Sequence, residues 1–325
     1  MKCVDLFAGC GGLSLGFSQA GMEVLASIDN WGKAVDVYRD NFSHPCHLHD
    51  LTDEPGCLDI IRKYKPDMII GGPPCQDFSS AGKRDESLGR ADLTYHFTNV
   101  VADYKPKWFV MENVERIRKS HILGDITDQL IKEGYGLSSV ILDASFCGAP
   151  QARKRFFLIG QLGGKHNQLN GVYLKNMSKE SMTIRDYLGD SLDLEFYYRH
   201  PRNYSRRGIF SIDEPSPTVR GVNRPVPGGY NKHKGDHERA NLDKVRPLTT
   251  IERSYLQTFP KDFKFEGTKT NLEQMIGNAV PVNLAEFIAS GILEYIRAGS
   301  SSEGQESLFE NEEFEVPNKA LHRTR

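Results

Sequence analysis

Long apolar runs, paired cysteines and an excess of either charge are missing from this chain of 325 residues. No stretch approaches the roughly 20 apolar residues of a membrane span, and the opening MKCVDLF lacks a charged segment followed by an apolar one. A soluble, cytoplasmic protein with no membrane partner is expected. The six cysteines, Cys3, Cys10, Cys46, Cys57, Cys75 and Cys147, form no C-x-x-C pair and no regular framework, so reduced thiols are expected rather than a disulfide scaffold. Cys46-His47-Leu48-His49-Asp50 has ligand chemistry. However, alternate strand residues point to opposite faces and no second ligand cluster accompanies it, so no metal is expected. No internal repeat is present.

A formal net charge of −2 hides an uneven distribution. Between Arg199 and Arg239 nine cations, among them Arg199, Arg202, Arg206, Arg207, Arg220 and Arg224, face the four acids Asp213, Glu214, Asp236 and Glu238. Glu303, Glu306, Glu310, Glu312, Glu313 and Glu315 load the tail with the opposite sign. Locally the middle of the second half is basic, as a polyanion's partner requires.

Residues 1–162 alternate short apolar runs with helical patterns, the signature of an α/β unit with a mostly parallel sheet covered on both faces. Strands are expected at Cys3–Phe7, Glu23–Ile28, His44–His49, Met68–Ile70, Trp108–Met111, Leu137–Leu142 and Phe156–Ile159. Residues 163–244 are rich in Gly, Asn, Arg, Tyr and Pro and predict a smaller, irregular lobe of loops and short strands. Helical patterning returns at Thr249–Phe259 and Val282–Arg297, so residues 245–298 are expected to pack back on the first unit. Residues 299–325 have the composition of a disordered tail.

Candidate chemistry lies at strand ends. Gly71-Gly72-Pro73-Pro74-Cys75-Gln76 follows the apolar strand Met68-Ile69-Ile70; two prolines fix φ and two glycines remove bulk, which displays one thiol on a stiff corner. Asp5-Leu6-Phe7-Ala8-Gly9-Cys10-Gly11-Gly12 runs from the first strand through a glycine turn, and Asp29 ends the next strand, as in Rossmann-like nucleoside sites where an acid accepts from a ribose. The spacing is not G-x-G-x-x-G, Asp5 stands before the turn, and Asp50 ends a third strand. An acid before the turn suits a cationic amine and one after the third strand suits an adenine amino group, which favours S-adenosyl-L-methionine, with a pyrophosphate site as the alternative. Glu112-Asn113-Val114 adds a carboxylate at the same sheet edge, and period two puts Arg153 and Arg155 on one face.

In ordered blocks the chain resembles the DNA cytosine-5 methyltransferases of bacterial restriction-modification type, across nearly its whole length to about Arg297. The blocks are Asp5-Leu6-Phe7-Ala8-Gly9 with Gly11-Gly12, Pro74-Cys75-Gln76 with Phe78-Ser79, Glu112-Asn113-Val114, Gln151-x-Arg153-x-Arg155, Arg246-x-Leu248-Thr249 with Leu256-Gln257-x-Phe259-Pro260, and Gly277-Asn278-Ala279-Val280-Pro281.

The resemblance implies a Rossmann-like catalytic and cofactor-binding domain at 1–162, a target-recognition domain at 163–244 and a returning segment at 245–298. It implies that Cys75, set by Pro74, adds to C6 of cytosine, that Glu112 bonds N3 and the exocyclic amine, and that Arg153 and Arg155 surround the base O2, Arg155 directly. The cofactor would be S-adenosyl-L-methionine, held by Asp5, Phe7, Ala8, Gly9, Gly11, Gly12, Asp29, Asn30, Asp50, Leu51, Pro73, Asn278 and Val280. Relatives often carry an aromatic residue directly after the second-strand acid; here Asn30 stands there and Trp31 one later.

The partner implied is double-stranded DNA, with the target cytosine flipped out and a loop from Gln76 to Leu93 closing over it. Its contacts would be Gln76, Ser79, Ser80, Arg206, Arg207, Thr218, Arg220 and Arg224. A monomer associated with the bacterial nucleoid is expected; a separately encoded restriction endonuclease as cognate partner and a solitary enzyme are equally compatible with the sequence. The rivals are the same chemistry on tRNA and a catalytically silent DNA-binding relative; the latter would lack Cys75 or Glu112, and both are present.

Overall fold

A computed structural model describes residues 1–74, 92–203 and 206–301. The expectations placed on Cys75, Gln76, Ser79, Ser80, the closing loop up to residue 91 and the tail from residue 302 lie outside the described residues.

Seven strands form the main sheet: β1 (Lys2–Leu6), β2 (Glu23–Asp29), β3 (Cys46–Leu48), β4 (Met68–Gly71), β5 (Trp108–Val114), β6 (Tyr135–Asp143) and, after the two-residue β7 (Gln151–Ala152), β8 (Lys154–Leu162). Their order is β3-β2-β1-β4-β5-β8-β6, and only β8 runs antiparallel to its neighbours. The order reverses between β1 and β4, so the carboxyl ends of those two strands flank the crevice where open α/β sheets take ligands.

Period two sorts the strand residues between two cores. Cys3, Met68, Ile70, Trp108, Val110, Phe157 and Ile159 face α1 (Gly12–Gln19), whereas Val4, Leu6, Ile69, Phe109, Met111, Phe156 and Leu158 face the opposite layer. After α2 (Gly32–Arg39), that second layer is made of α3 (Glu54–Tyr64), α4 (Asp92–Tyr104) and α5 (His121–Lys132). Asp53 caps α3 by accepting from Gly56 N at 3.2 Å, with Pro55 in the first turn where its missing N–H costs nothing.

The chain continues through α6 (Asn170–Asn176), α7 (Ile184–Leu188), β9 (Phe196–Tyr198), β10 (Ile209–Ser211), β11 (Ser216–Pro217) and β12 (Arg246–Pro247). β10, β9 and β12 form a three-stranded sheet, and β11 pairs with β7 of the first unit. Neither α6 nor α7 has a periodic sequence. Burial of Val172 and Tyr173, with Tyr173 OH donating to Ile288 O at 3.1 Å, holds α6, and a Thr183–Asp186 capping box starts α7.

The chain then forms α8 (Thr250–Leu256), α9 (Lys269–Asn278) and α10 (Val282–Ser301). α9 was not expected from its polar sequence; Thr268 caps it and it buries Leu272, Met275 and Ile276. The expectation that no stretch approaches a membrane span is corrected here. The helical stretch Lys269–Gly299 is long and apolar enough, but 61% of its most apolar window is buried inside the molecule. α10 packs on α1 so closely that a Cβ on Gly16 would lie 2.4 Å from Val282 O.

Candidate active site

The carboxyl ends of β1, β2, β4 and β5 open into a cleft of about 590 Å³, closed on the far side by residues 274–280. The first turn is unusual backbone: Phe7, Gly9 and Gly11 have φ of 60°, 55° and 95°. A left-handed phenylalanine is costly and persists only where its surroundings fix it. Asp29 does so, accepting from Gly9 N on Oδ2 at 2.8 Å and from Trp31 N on Oδ1 at 2.7 Å. A Cβ on Gly12 would sit 2.3 Å from Val280 O, so the glycine lets the returning segment close the cleft.

Asp5 is 1% exposed. Its Oδ2 accepts from Ser14 Oγ at 2.6 Å, while Oδ1 is buried without a hydrogen-bond partner. Burial, reinforced by the charge of Asp29, pushes this carboxyl up to about 7. A buried acceptor lacking a donor in a cleft wall is unfavourable unless a ligand supplies one.

Glu112 and Arg155 line the same cleft, with Arg155 Nε 2.8 Å from Glu112 Oε1. Burial raises the Glu112 carboxyl and the Arg155 and Arg153 guanidiniums oppose that rise. The Glu112 block does not follow β5, as expected, but continues it: Glu112, Asn113 and Val114 pair with Phe157, Phe156 and Arg155. Gly72 lies alongside, where a Cβ would be 3.0 Å from Glu112 Oε2.

Arg153 lines the cleft but uses its guanidinium elsewhere. It is 1% exposed and donates to Val219 O, Gly277 O and Ala279 O, each at 3.1 Å. Gln151 continues this buried network, accepting from Val219 N at 2.8 Å and donating to Gln257 Oε1 at 2.7 Å, and Gln257 donates to Ala279 O at 3.0 Å. Arg153 therefore ties the lobe and the returning segment to β8, and Arg155 alone of the pair bonds the Glu112 carboxylate.

Of the residues singled out in the sequence, Asp5, Phe7, Ala8, Gly9, Gly12, Asp29, Asn30, Pro73, Pro74, Glu112, Arg153, Arg155, Asn278 and Val280 all line this one cleft. Trp31 joins them one position later than an aromatic was sought, and Gln274 and Met275 of α9 line it too, contributed by the helix the sequence did not announce. Gly11 instead clears room for the Phe42 ring. Asp50 and Leu51 are not among the lining residues: Asp50 Oδ1 is taken by Thr52 N and Oγ1, both at 2.9 Å, and Leu51 is buried in the second core. Among the recognition candidates, Arg206 and Arg224 are exposed. Arg207 pairs with Glu214 and lies 4.2 Å over the Phe210 ring, Thr218 Oγ1 donates to Ala152 O at 2.9 Å, and Arg220 donates to His200 O.

Comparison with known proteins agrees with this geometry. The family model of C-5 cytosine-specific DNA methylase matches residues 1–294. The type II methyltransferase M.HindV of Haemophilus influenzae is 67% identical over 295 residues, covering 91% of this chain and 97% of its own. The type II methyltransferase M.HgiDI of Herpetosiphon aurantiacus is 56% identical over 296 residues, covering 91% and 95%. The crystal structure of S. pombe Dnmt2 methyltransferase shares the fold, with a TM-score of 0.67 at 19% identity over 91% of this chain and 99% of that one.

Proposed function

Because the chain belongs to the C-5 cytosine-specific DNA methylases, we propose that it methylates carbon 5 of a cytosine flipped out of a specific double-stranded DNA sequence, using S-adenosyl-L-methionine. The observation that carries this reading is that one cleft is lined both by a buried acid with an unpartnered oxygen, Asp5, and by the Glu112–Arg155 pair. When bound, S-adenosyl-L-methionine supplies an electrophilic methyl group. The donor set fits it: Asp5 Oδ1 would take the ammonium, Asp29 retains lone pairs that would accept from a ribose, and Trp31 and Val280 would offer apolar surface to the adenine.

The remaining chemistry belongs to the chain. Cytosine C5 is a poor nucleophile, and addition of the Cys75 thiolate to C6 makes it electron-rich. Cys75 directly follows Pro74 in the sequence, Pro74 lines the same cleft as Arg153 and Arg155, and cationic neighbours favour a thiolate. Glu112 bonds N3 and the exocyclic amine; a carboxyl raised by burial is suited to sharing a proton with N3 as the ring accepts electrons. Arg155 holds Glu112 in place and faces O2. Loss of the C5 proton and departure of Cys75 then restore the aromatic ring. Because C6 must be approached from its face, the base leaves the stack at a cost of a few kcal/mol.

In this reading residues 1–162 and 245–298 make the catalytic unit. The lobe at 163–244 reads the sequence, with the exposed Arg206 and Arg224 offered to phosphates and base edges, and with Arg207, Thr218 and Arg220, which already have partners within the protein, as further candidates. Relatives named type II methyltransferases suit a modification role; in this reading the protein acts as a monomer, either beside a separately encoded restriction endonuclease or alone. Bisulfite sequencing of DNA from a host expressing the chain is expected to show one protected cytosine in one recurring sequence. Incorporation of labelled methyl into tRNA with none into DNA would overturn the choice of substrate.

A further inference from the structure

Asp5 is the head of a hydrogen-bond chain that leaves the cleft through the protein interior. Ser14 Oγ on α1 donates to Asp5 Oδ2 at 2.6 Å, Tyr38 OH on α2 donates to Ser14 Oγ at 2.7 Å, and the same Tyr38 oxygen lies 2.7 Å from His44 Nε2. Ser14 and Tyr38 are fully buried, and His44 is half-buried at the outer end. Tyr38 has one proton and gives it to Ser14, so His44 completes the chain as donor through Nε2–H. Every donor then points toward Asp5, which supports its carboxylate form.

The chain also runs in reverse. A proton taken up at His44 Nδ1 allows the Nε2 proton to pass to Tyr38, the Tyr38 proton to Ser14, and the Ser14 proton to Asp5. His44 ends neutral in its other tautomer, each hydroxyl keeps one proton, and Asp5 gains one. Release follows the same path backward.

We propose that Ser14, Tyr38 and His44 are positioning residues for the cofactor: they connect Asp5 to the outside by a route that avoids the cleft and hold it as a carboxylate when the ammonium group of S-adenosyl-L-methionine arrives. This rests on the reading of the cleft as that cofactor's site. Such a route matters because a bound cofactor covers the cleft side of Asp5, so a proton displaced by the incoming cation needs another exit. The titratable groups facing Asp5 are Asp29 on β2, Cys3 on β1, Tyr38 on α2 and Cys46 on β3; none is a cation that would itself hold Asp5 ionised. His44 packs against the Tyr38 and Phe42 rings, and burial keeps it below the usual imidazole range, hence neutral and able to exchange tautomers near pH 7.

The sign follows from linkage. With the free carboxyl near 7, Asp5 is protonated below that pH and the cation loses its partner, so affinity falls as pH drops, approaching about tenfold per unit. The probe is S-adenosylhomocysteine, which keeps the ammonium, titrated calorimetrically from pH 5.5 to 9 in two buffers of different ionisation enthalpy.

The wild-type chain is expected to show affinity level at high pH and falling below about 7, with release of about half a proton per ligand at pH 7. Tyr38→Phe is expected to bind about tenfold more weakly at pH 7, to converge with wild type at pH 9, and so to displace the midpoint upward. His44→Leu should act in the same direction, and His44→Gln, which can donate and accept at the same place, should restore the wild-type profile. Equal affinities at every pH, or a loss by one constant factor at every pH, would overturn the proposal. Failure of the wild-type chain to bind S-adenosylhomocysteine at all would instead overturn the reading of the cleft.

Discussion

Cys75→Ala is expected to reduce methyl transfer to background, a loss of about 10⁴-fold or more, while leaving sequence-specific DNA binding within a few-fold of wild type. In the proposed mechanism the two effects separate, because the thiol would make the bond to C6 whereas affinity for the duplex would come from phosphate and base-edge contacts elsewhere on the chain. The turn is built for one side chain. Gly72 admits the Glu112 carboxylate where a Cβ would stand 3.0 Å from Oε2, and Pro73 and Pro74 both line the cleft. Pro74, the residue before Cys75 in the sequence, thus lines the same cleft as Glu112. Labelled-methyl incorporation and gel retardation on the recognised duplex are the measurements. Turnover within tenfold of wild type would remove the thiol from the mechanism.

The second large effect is expected at Glu112. Glu112→Gln keeps the shape and still accepts from Arg155, but an amide cannot share a proton with cytosine N3. The expected result is a fall in kcat of about 10²–10⁴-fold with little change in KM for DNA. The contact with Arg155 at 2.8 Å makes the control informative. Arg155→Lys keeps the charge and loses the planar fork, so it should lower kcat less than Glu112→Gln while loosening the carboxylate. An unchanged kcat in the glutamine variant would mean that the carboxylate only holds the arginine.

The main sheet was legible in the sequence because its strands are buried on both faces and appear as apolar runs between helical patterns. Asp5, Asp29 and Glu112 were found because strand carboxyl ends carry the chemistry of such sheets. What was not legible depends on contacts distant in the chain. α9 has too few apolar residues to declare itself, yet it supplies Gln274 and Met275 to the cleft and is held by Leu272, Met275 and Ile276 packing across the molecule. Spacing alone does not separate Arg153 from Arg155, although the family resemblance gave Arg155 the direct contact. Only the positions of Val219, Gly277 and Ala279 show that the first secures three segments, while the second meets Glu112. Asp50 reads in the sequence as the end of a strand, but β3 stops at Leu48 and Asp50 Oδ1 is bonded by Thr52 two residues on. Likewise, no local pattern could join Asp5 to His44, because their link passes through a serine on one helix and a tyrosine on the next.

The central claim is that one sulfur bonds to the pyrimidine ring during the reaction. Its most direct test is to incubate the chain and S-adenosyl-L-methionine with a duplex carrying 5-fluorocytosine at the position bisulfite sequencing identifies, then to read the product by denaturing mass spectrometry. The expected product is a protein–DNA adduct whose attached peptide contains Cys75, because fluorine cannot depart as the C5 proton does. No covalent species under conditions where the unfluorinated duplex is fully methylated, or attachment through any other residue, would contradict it.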